Sequence, residues 1–589
     1  MKKYKLTSRI IIFPILICLI LFFYFPKSQK NSEESLILSS CDNLIVPTLA
    51  YDDNSITLAW HKQTNSSDIV DYNIYIDGNL IGNANNSSEF KAKSLIEKFY
   101  NDPSNSSAVN ISSHSFKVSG LTPDTSYSFI VKAVDNKGNE IAESNKVIQS
   151  TEKPSKIFNS LDYGAAGDGK TLDTKAIQSA IDACTPGGQV LLPSGKTFKS
   201  GSLLLKGNIT FKVDGTLLGS ENPEDYLKNN NSRDKLANYS LLYINANNKE
   251  ENLKIIGTGT IDGNGWRQAA FENEYGFPNS LKSSLKTVEE NGILAANQFK
   301  LCKTNGLSET DAYSRRSNLI SIRNMKNIYF GDGLSFINPS RHTISLSNCN
   351  DVVLNNALIK TFDCNNGDGI DFNGKGLTVL NSVFDTGDDD INFNAGKGDD
   401  GEESSTPVDN AWIFNNYFGR GHGAVVAGSY TAAWIQNILA EDNVLNGTGS
   451  GLRCKSSARI GGGAKNIVFR DSALKNIVDE EGKPFIFTSN YSDSNSAGSF
   501  KPAKTFPQFK HILVSNCSVD TSKDSSILVA GLKDSYHEDI YFKNISFKGT
   551  KPAKITYMKD STFKNVTFDS NIKDPWDITN CKTLDFDND

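Results

Sequence analysis

Short runs of alternating apolar and polar residues recur along most of the chain, and each carries an Asn or Asp near its middle. Residues 376–384, 411–418 and 438–445 are three such runs. Alternation with a period of two predicts β-strands, because successive side chains of a strand point to opposite faces. The pattern therefore predicts a chain rich in short strands, with an amide or carboxyl side chain at a fixed place in each.

These Asn and Asp positions recur at gaps of 24 to 45 residues: Asp332, Asn356, Asn381, Asn415, Asp442, Asp471, Asn516 and Asn544. A basic period of about two dozen residues, lengthened by insertions, indicates a solenoid of stacked coils. No amphipathic helical pattern falls inside the period, and the runs are rich in β-branched and aromatic residues. The sequence therefore predicts an all-β fold, a parallel β-helix whose coils lie about 4.8 Å apart.

Residues 158–200, which precede the repeats, show a different sequence pattern. A Gly-rich stretch leads to a pattern that predicts a helix capped by Asp173 or Thr174, followed by strands at 189–192 and from Thr197. This segment resembles the N-terminal cap of the pectin-lyase-like right-handed β-helices, in which a helix covers the first coil. Such a cap keeps the open strand edges from pairing with other chains.

Residues 45–152 predict a separate small β-sandwich, with strands at 55–60, 71–77 and 121–135. Trp60, Tyr72 and the pattern Leu121-x-Pro-x-Thr-x-Tyr127 resemble a fibronectin type III domain. We assign the aromatic residues to its core and predict that residues 84–113 form an inserted loop. Nothing in this unit indicates chemistry, and a spacer is one interpretation of its role.

The N-terminus carries four basic residues before an apolar run at 10–25. This order predicts a secretory signal, with an uncleaved membrane anchor as the alternative because no small-x-small cleavage site follows. The chain then divides into a signal or anchor at 1–30, a fibronectin type III-like domain at 45–152 and a β-helix at 158–589. We expect a secreted or extracellular protein, and the anchor would hold it at the membrane surface.

The composition argues against several classes of partner and site. Lys and Arg number 61 against 67 Asp and Glu, so that the net charge of −6 argues against a nucleic-acid-binding protein. The nine cysteines are scattered without a Cys-x-x-Cys motif, which argues against a zinc site and a dense disulfide framework. We expect a monomer.

Four polar clusters follow one another in the repeat region: Asn366-Gly367-Asp368, Gly387-Asp388-Asp389, Gly421-His422-Gly423 and Arg453-Cys454-Lys455. Asp368 and Asp388 are 20 residues apart, and Arg453 follows His422 by 31. If residues 397–407 form an inserted loop, the gap from Asp388 to His422 also shortens to about one coil. Stacked coils would then bring three carboxylates, one imidazole and two cations into one cleft.

Such a set suits the hydrolysis of an acidic sugar. One carboxyl must hold a proton for the leaving oxygen, and another must be ionised to activate water or attack carbon. Crowding of carboxylates raises the pKa of one of them and so supplies the donor. The cations would bind the carboxylate of the sugar.

The clusters resemble the signature of glycoside hydrolase family 28, the polygalacturonases: Asn-Thr-Asp, Gly-Asp-Asp, Gly-His-Gly and Arg-Ile-Lys in that order. Gly367 and Cys454 depart from it and leave the chemical residues intact. The resemblance covers about residues 158–570 and implies an inverting hydrolase of α-1,4-galacturonosidic bonds in polygalacturonate, the backbone of pectin.

The resemblance also implies a role for each chemical residue. By this resemblance Asp388 is the general acid, and Asp368 and Asp389 activate water. His422 tunes or shares the proton of Asp388. Arg453 and Lys455 bind galacturonate carboxylates. Inversion implies catalytic carboxyl groups about 6.5–9.5 Å apart. No metal and no organic cofactor is needed.

Residues 266–316 form a long insertion, with helices predicted at 283–290 and 293–300. A large insertion can close one end of a groove, and with the N-terminal domain it resembles the bacterial exo-polygalacturonases, which would release mono- or digalacturonate. Four cations are candidates for binding a terminal carboxylate: Arg315, Arg316, Lys397 and Arg420.

Other functions stay open at this point. Within the enzymes they are an endo-polygalacturonase and a hydrolase of rhamnogalacturonan or xylogalacturonan, whereas a lyase would need a calcium cluster and a base. A different class is a surface adhesin that binds pectin, with the β-helix as its stalk. An adhesin would account for the N-terminus but not for the four clusters.

Overall fold

The structure, a computed structural model, describes residues 44–62, 69–86, 90–228, 236–247, 249–267, 292–362, 364–492 and 499–587. Within these ranges no helix is long and apolar enough to cross a membrane. The apolar run at 10–25, predicted as a signal or an anchor, lies outside the described residues, as does the helix predicted at 283–290.

Two antiparallel sheets form the N-terminal β-sandwich. One sheet consists of Leu44–Ile45, Ser55–Trp60 and Ser115–Ser119, and the other of Ile69–Ile76, Asn79–Asn83, Ser126–Asp135, Glu140–Glu143 and Val147–Ser150. Trp60 packs edge-on against Tyr72 with ring centroids 5.2 Å apart, inside the cluster that fills the sandwich. Both aromatic residues belong to the core, as the sequence predicts.

From residue 157 the chain winds into a parallel β-helix with three sheets, here named A, B and C. Sheet A contains Leu203–Leu204, Leu242–Asn245, Ile320–Arg323, Asp389–Phe393, Gly423–Ala427, Leu452–Lys455, Phe485–Thr488, Ile527–Ala530, Ala553–Thr556 and Trp576–Thr579. Sheet B contains Ile157–Asn159, Gln189–Leu192, Ile209–Val213, Glu251–Ile256, Lys326–Gly331, Val408–Phe414, Ile435–Glu441 and Lys582–Asp587.

Sheet C contains Asp168–Leu172, Thr197–Ser200, Thr216–Gly219, Thr260–Asp262, Ser335–Ile337, Leu358–Lys360, Val383–Asp385, Tyr417–Phe418 and Val444–Asn446. Some long strands turn from one sheet into the next. Ile344–Asn355 and Ile370–Leu380 run from sheet A into sheet B, and Gly463–Ile477, Gln508–Ser522, His537–Lys548 and Met558–Phe568 run from sheet B into sheet C.

The repeated Asn and Asp residues turn the chain at the corner between sheets B and C. All eight positions of the sequence repeat have φ between 50° and 61°, a left-handed conformation that Asn and Asp adopt more readily than other side chains. Their side chains also form a ladder, in which Asn544 Nδ2 donates to Asn516 Oδ1 at 2.9 Å and Asn516 Nδ2 to Asp471 Oδ1 at 3.0 Å. Each predicted strand is therefore two strands, divided at this corner.

The interior of the stack is apolar and in register. Equivalent aromatic rings lie above one another, as in Phe384 on Phe418 with centroids 5.1 Å apart and Phe542 on Phe563 at 5.1 Å. At the N-terminal end, the helix Thr174–Ala183 presents Ile177 and Ile181 to this core. The predicted cap is confirmed, with Asp173 at its N-cap position.

The sandwich packs against the side of the β-helix and does not project from it as a spacer. The segment 84–113, predicted as a loop, contains the helix Lys91–Asn101, which packs with Leu95 and Phe99 against Tyr417 and Val444 of sheet C. Two short 3-10 helices flank it, Ala84–Asn86 and Pro103–Asn105. The insertion thus attaches the two units to each other.

Charged residues complete this attachment. Lys62 Nζ lies 2.6 Å from Asp442 and 2.7 Å from Asp471, two corner residues of the β-helix. The imidazole of His114 lies 3.4 Å from Asp442, and the backbone N–H of His114 donates to Asn415 Oδ1 at 3.0 Å. The corner residues that define the sequence repeat therefore also bind the sandwich.

Two further insertions lie around sheet A. The described part of the 266–316 insertion holds the helices Leu294–Thr304 and Glu309–Ser314, and the first overlaps the helix predicted at 293–300. The 397–407 insertion, predicted as a loop, contains the short helix Gly398–Ser404. Further 3-10 turns occur at Ser160–Tyr163 and Pro223–Tyr226.

Candidate active site

The polar clusters lie at one edge of neighbouring strands of sheet A. Asp368 precedes Ile370–Leu380, and Asp389 begins the next strand, in which Ile391 pairs with Ile370. The glycine after His422 is level with Asp389 on the strand beyond. The three carboxylates and the imidazole therefore share one edge of the sheet.

Arg453 and Lys455 reach this edge from farther along their own strand. Val426 pairs with Arg453, so that Arg453 lies three residues beyond the level of Asp389. The side chains of Arg453 and Lys455 are long enough to reach back over this offset along the strand. Lys455 Nζ lies 2.7 Å and Arg453 Nη1 lies 3.6 Å from the carboxylate of Asp389. All six residues predicted from the sequence meet in one cleft, although their coil positions are not strictly equivalent.

Asp388 is held by two neighbours. His422 Nδ1 lies 3.0 Å from Asp388 Oδ1, and the amide of Asn366 donates to Asp388 Oδ2 at 3.3 Å. A backbone hydrogen bond of 2.9 Å from His422 N to Asp388 O ties the two coils together. Their side chains are about one-fifth exposed, at 20% for Asp388 and 23% for His422, and solvent therefore reaches this pair.

Acidic residues of the following coil surround the cations. Glu480 Oε2 lies 2.9 Å from Arg453 and 3.3 Å from His422 Nδ1, and Glu481 lies 3.6 Å from Arg453. The ring of Tyr491 lies 5.7 Å from the guanidinium and 5.1 Å from the ammonium of Lys455. The cationic part of the cleft thus already contains carboxylates of the chain itself.

A second histidine lies on the other side of Asp368. His342 Nδ1 is 2.8 Å from Asp368 Oδ1 and 3.2 Å from Asp371 Oδ2. Burial lowers the pKa of His342 to about 4, against the attraction of Asp371, and burial raises the pKa of Asp371 to about 7. A neutral imidazole therefore borders two buried carboxyl groups that hold protons more readily than usual.

The carboxylates of the cleft differ in proton affinity. Burial, followed by repulsion from Asp388 and Asp389, raises the pKa of Asp368 well above its usual range. Burial would also raise the pKa of Asp388, but His422 and Lys455 lower it below its usual range. Burial opposes the charge of His422, yet Asp388 and Glu480 raise its pKa to about 10.

One carboxyl pKa is therefore raised, as predicted, but at Asp368 and not at Asp388, and burial contributes more to the shift than crowding does. Without substrate, Asp388 is ionised beside a protonated His422. The proton of this pair therefore lies on the imidazole, 3.0 Å from Asp388 Oδ1.

Two groups of acidic residues and histidines are closely spaced in the cleft. Oxygens of Asp388 and Asp389 and a nitrogen of His422 lie within 4.8 Å of one another. His342, Asp368 and Asp371 form a second set this close. Either set has the geometry to hold a cation, but Lys455 and protonated groups already neutralise these carboxylates.

The insertion contributes to the cleft from one side. Tyr313 Oη and Arg316 Nη2 both donate to Asn366 Oδ1 at 2.7 Å, so that the amide nitrogen of Asn366 faces Asp388. The guanidinium of Arg316 lies 3.9 Å from the ring of Tyr313 and is buried. The insertion thus fixes the orientation of an amide that contacts Asp388.

The four cations proposed for a terminal carboxylate have different environments. Arg316 donates to Tyr313 O, Ser340 O and Asn366 Oδ1, and Arg420 Nη2 bonds Asp385 Oδ2 at 2.6 Å, so that both guanidinium groups are engaged within the protein. Lys397 lies over the rings of Tyr430 and Phe500, beside the 397–407 insertion. Arg315 lines a cavity together with Arg323 and Arg341.

Sequence reasoning missed five residues around the cleft: His342, Asp371, Glu480, Glu481 and Tyr491. A signal existed for some of them. Asp371 follows Asp368 within one polar cluster, and the acidic pair Glu480-Glu481 precedes Gly482 one coil after Arg453. Nothing in the local pattern distinguishes His342 or Tyr491 from other loop residues.

Comparisons with known proteins agree with this fold and cleft. The profile of Glycosyl hydrolases family 28 matches residues 184–571, and that of the Fibronectin type III domain matches residues 42–150. The exo-poly-alpha-D-galacturonosidase of Dickeya chrysanthemi is 41% identical over 574 residues, which cover 92% of this chain and 93% of that protein.

Two solved structures are also similar. The family 28 exopolygalacturonase of Yersinia enterocolitica has a TM-score of 0.85 at 39% identity, covering 92% of this chain and 99% of its own. The exopolygalacturonase of Thermotoga maritima has a TM-score of 0.54 at 23% identity, covering 70% and 92%, a likeness that concerns the fold alone. With the family profile spanning most of the β-helix and close similarity along nearly the whole length, the chain belongs to glycoside hydrolase family 28.

Proposed function

We propose that this glycoside hydrolase cleaves the α-1,4-galacturonosidic bonds of polygalacturonate from the chain end, with inversion at the anomeric carbon. The observation that carries the proposal is the set of crowded carboxylates of unequal pKa beside a pair of cations. An acidic sugar polymer suits both parts, because its carboxylates meet the cations while its glycosidic bond meets the acids.

In the proposed mechanism Asp388 protonates the leaving oxygen with the proton held by its pair with His422. As the bond between the anomeric carbon and that oxygen breaks, the proton passes from the imidazolium through the carboxyl group of Asp388. Water attacks the anomeric carbon, and Asp389 accepts its proton while Asp368 shares the hydrogen bonds of the water. The hydrogen bond of 3.0 Å between His422 and Asp388 supports this path.

Arg453 and Lys455 are proposed to bind the carboxylate of a galacturonate unit. A guanidinium has five N–H donors, and Arg453 can bind this carboxylate while Glu480 stays bound. Tyr491 offers a ring face beside both cations. No step of this mechanism uses a metal or an organic cofactor.

Exo action is proposed from the similarity to the Dickeya and Yersinia proteins and from the insertion. The helices of the 266–316 insertion pack with Trp266 and Cys364 into a separate cluster beside the cleft.

We further propose domains at 45–152 and 158–589, which the two profiles support, and a secretory signal within residues 1–30. The protein would then act outside the cell, where pectin is found.

The test is a product profile of polygalacturonate digestion by the wild type and by Asp388→Asn. We expect saturated mono- or digalacturonate from the first minutes, with slow loss of viscosity, and almost no product from the variant. A ladder of oligomers would contradict exo action, and unsaturated products would contradict hydrolysis. Activity confined to rhamnogalacturonan or xylogalacturonan, or pectin binding without cleavage, would contradict the proposed substrate or the enzyme itself.

A further inference from the structure

Glu480 borders the cleft and has no assigned part in the reaction. It lies on the turn that follows the long strand Gly463–Ile477. Its side chain is 41% exposed, whereas that of Arg453, which it meets, is 2% exposed. One carboxylate oxygen, Glu480 Oε2, lies 2.9 Å from Arg453 Nη1 and 3.3 Å from His422 Nδ1. A single oxygen therefore joins a cation proposed to bind substrate to the imidazole beside Asp388.

These four groups form a chain of alternating charge. Asp388 is ionised and lies 3.0 Å from the protonated His422, which is followed by Glu480 and then by Arg453. Arg453 Nη1 also donates to the backbone carbonyl oxygen of His422 at 3.4 Å. Opposite charges at such distances stabilise one another in their charged forms. The guanidinium and the imidazole are thus connected through both a carboxylate and the backbone.

The turn that carries Glu480 is fixed on both sides. Asp479 Oδ2 accepts from Gly421 N at 3.3 Å, next to His422, and Asp479 Oδ1 accepts from Glu480 N at 2.8 Å. On the other side, Lys523 Nζ donates to the backbone carbonyl of Glu480 at 3.0 Å. Glu480 itself has a φ of 23°, a left-handed conformation that side chains other than Asn and Asp rarely adopt. Such backbone persists where the surrounding contacts impose it, and it is frequent at functional sites.

The charged groups around His422 come from the coils on either side of it. Asp388 and Asp389 lie on the preceding coil, and Arg453 and Glu480 lie on the following coils. Burial lowers the pKa of His422, and Asp388, Glu480 and Asp389, in that order, raise it to about 10. Glu480 is therefore the second carboxylate, after Asp388, that keeps the imidazole protonated.

We propose that Glu480 is a positioning residue of the reaction, which is anchored by Arg453 and holds the imidazolium of His422 against Asp388. The inference rests on the proposed function and deepens it. The proton moves from His422 Nδ1 to the carboxylate of Asp388 and from there to the leaving oxygen, and the imidazole is left neutral. Since Glu480 Oε2 already accepts from Arg453, the shorter contact, to Asp388, is the path of the proton.

The test compares Glu480→Gln with Glu481→Gln as the matched control. Both changes keep the size of the side chain and remove one negative charge near Arg453, from which Glu481 lies 3.6 Å. The carboxylate of Glu481 has its closer partner in Lys483, at 2.7 Å. The amide oxygen of Gln can still accept from Arg453, so that the turn should keep its place.

The first readout is the protonation of His422 without substrate. The chain has six histidines, so that carbon-13-labelled histidine gives few NMR signals, and His422→Gln identifies the signal of His422. We expect its titration midpoint to fall by about one pH unit in Glu480→Gln and by less than a third of that in Glu481→Gln. Equal midpoints in the two variants would overturn the proposal.

The second readout is the pH profile of kcat on polygalacturonate. The rate should fall on the alkaline side as His422 loses its proton, and in Glu480→Gln this limb should move to lower pH by as much as the NMR midpoint moves. A limb that stays in place while the midpoint moves would overturn the role of Glu480 in the reaction. Circular dichroism spectra that match the wild type exclude unfolding as the cause. If Glu480→Gln does not fold, Glu480→Asp, which keeps the charge but draws it back by one methylene, should give a smaller shift in the same direction.

These outcomes separate the role of Glu480 from the proposed function. Hydrolysis of polygalacturonate by the wild type, with an unchanged midpoint in Glu480→Gln, would leave the function standing and overturn only the role of Glu480. A lowered midpoint in Glu480→Gln, with no hydrolysis by the wild type, would support the contact with His422 and overturn the proposed reaction.

Discussion

The cleft and the interface with the sandwich are built from the same kinds of residue. In the cleft, Asp368, Asp388 and Asp389 meet His422, Arg453 and Lys455. At the interface, Glu441, Asp442 and Asp471 meet His114, Lys62 and Arg470. The carboxylates of both sets lie on neighbouring coils of one β-helix, and both sets combine carboxylates with an imidazole and with cations.

The two sets differ in how completely the negative charges are paired. At the interface, Lys62 bonds both Asp442 and Asp471, and Arg470 bonds Glu441 at 2.7 Å. Burial raises the pKa of Asp442, but Lys62 and His114 lower it to about 2. In the cleft, burial and repulsion from Asp388 and Asp389 outweigh the charges of Lys455 and Arg341, and the pKa of Asp368 is raised.

This contrast indicates what converts a buried ion cluster into a candidate catalytic site. Pairing with cations keeps Glu441 and Asp442 ionised and fixes the neighbouring domain in place. Incomplete pairing leaves a carboxyl group whose proton can be gained or lost, in a cleft that solvent reaches. Residue composition alone does not distinguish the two cases.

Asp388→Asn is expected to have the largest effect. The change keeps the size of the side chain and removes the proton path from His422, so that kcat on polygalacturonate should fall about a thousandfold. The matched control is Asp577→Asn, an exposed aspartate on the Trp576–Thr579 strand. Equal rates for the two variants would show that the cleft is not the catalytic site.

Lys62→Met should have the next largest effect, and on stability. It removes the ammonium group from Asp442 and from Asp471, which keeps Arg470 at 3.5 Å, inside a closed interface. The change should lower the free energy of unfolding by about 3 kcal/mol. The control is Lys137→Met on an exposed turn of the sandwich. Denaturant unfolding measures both, and an unchanged midpoint for Lys62→Met would contradict the interface account.

His422→Gln should destabilise the protein in a pH-dependent manner. The pKa of His422 is raised from 6.5 to about 10, so its pairing stabilises the fold fully below pH 6.5 and this stabilisation is lost as the pH rises through about 10. The melting temperature of the variant should therefore lie farthest below that of the wild type at mildly acid pH and approach it near pH 10. A constant difference across this range would argue against a charged His422.

Tyr313→Phe should have the smallest effect. It removes one of the two donors that orient Asn366 and should lower kcat about fivefold, because one neutral hydrogen bond contributes about 1 kcal/mol. Tyr75→Phe, which removes a surface hydroxyl bonded to Glu140, is the control and should leave kcat unchanged. An unaltered rate for Tyr313→Phe would show that the insertion does not position Asn366.

Much of the fold follows from local rules. Alternation predicts the strands, and the Asn and Asp at the corners are predictable because left-handed backbone favours these residues. The apolar stripe that includes Ile177 and Ile181 likewise predicts the capping helix. Each of these signals lies within a few residues of the element that it predicts.

The rest depends on contacts between distant parts of the chain. Lys62 meets Asp442 only because the inserted helix docks the sandwich, and no local pattern encodes that contact. The six chemical residues were predictable from their motifs, but the proton affinity of Asp388 was not. That affinity depends on the side-chain directions that place His422 and Lys455 near the carboxylate of Asp388.

The stereochemistry of the first product tests the central claim most directly. Water activation by Asp368 and Asp389 requires inversion at the anomeric carbon, whereas attack by one of the carboxylates on the sugar would give retention. Proton NMR of the anomeric signals in the first minutes of digestion separates the two cases. Initial release of the β-anomer from the α-linked substrate is the predicted result, whereas initial release of the α-anomer would mean that a carboxylate attacks the sugar and would contradict the account.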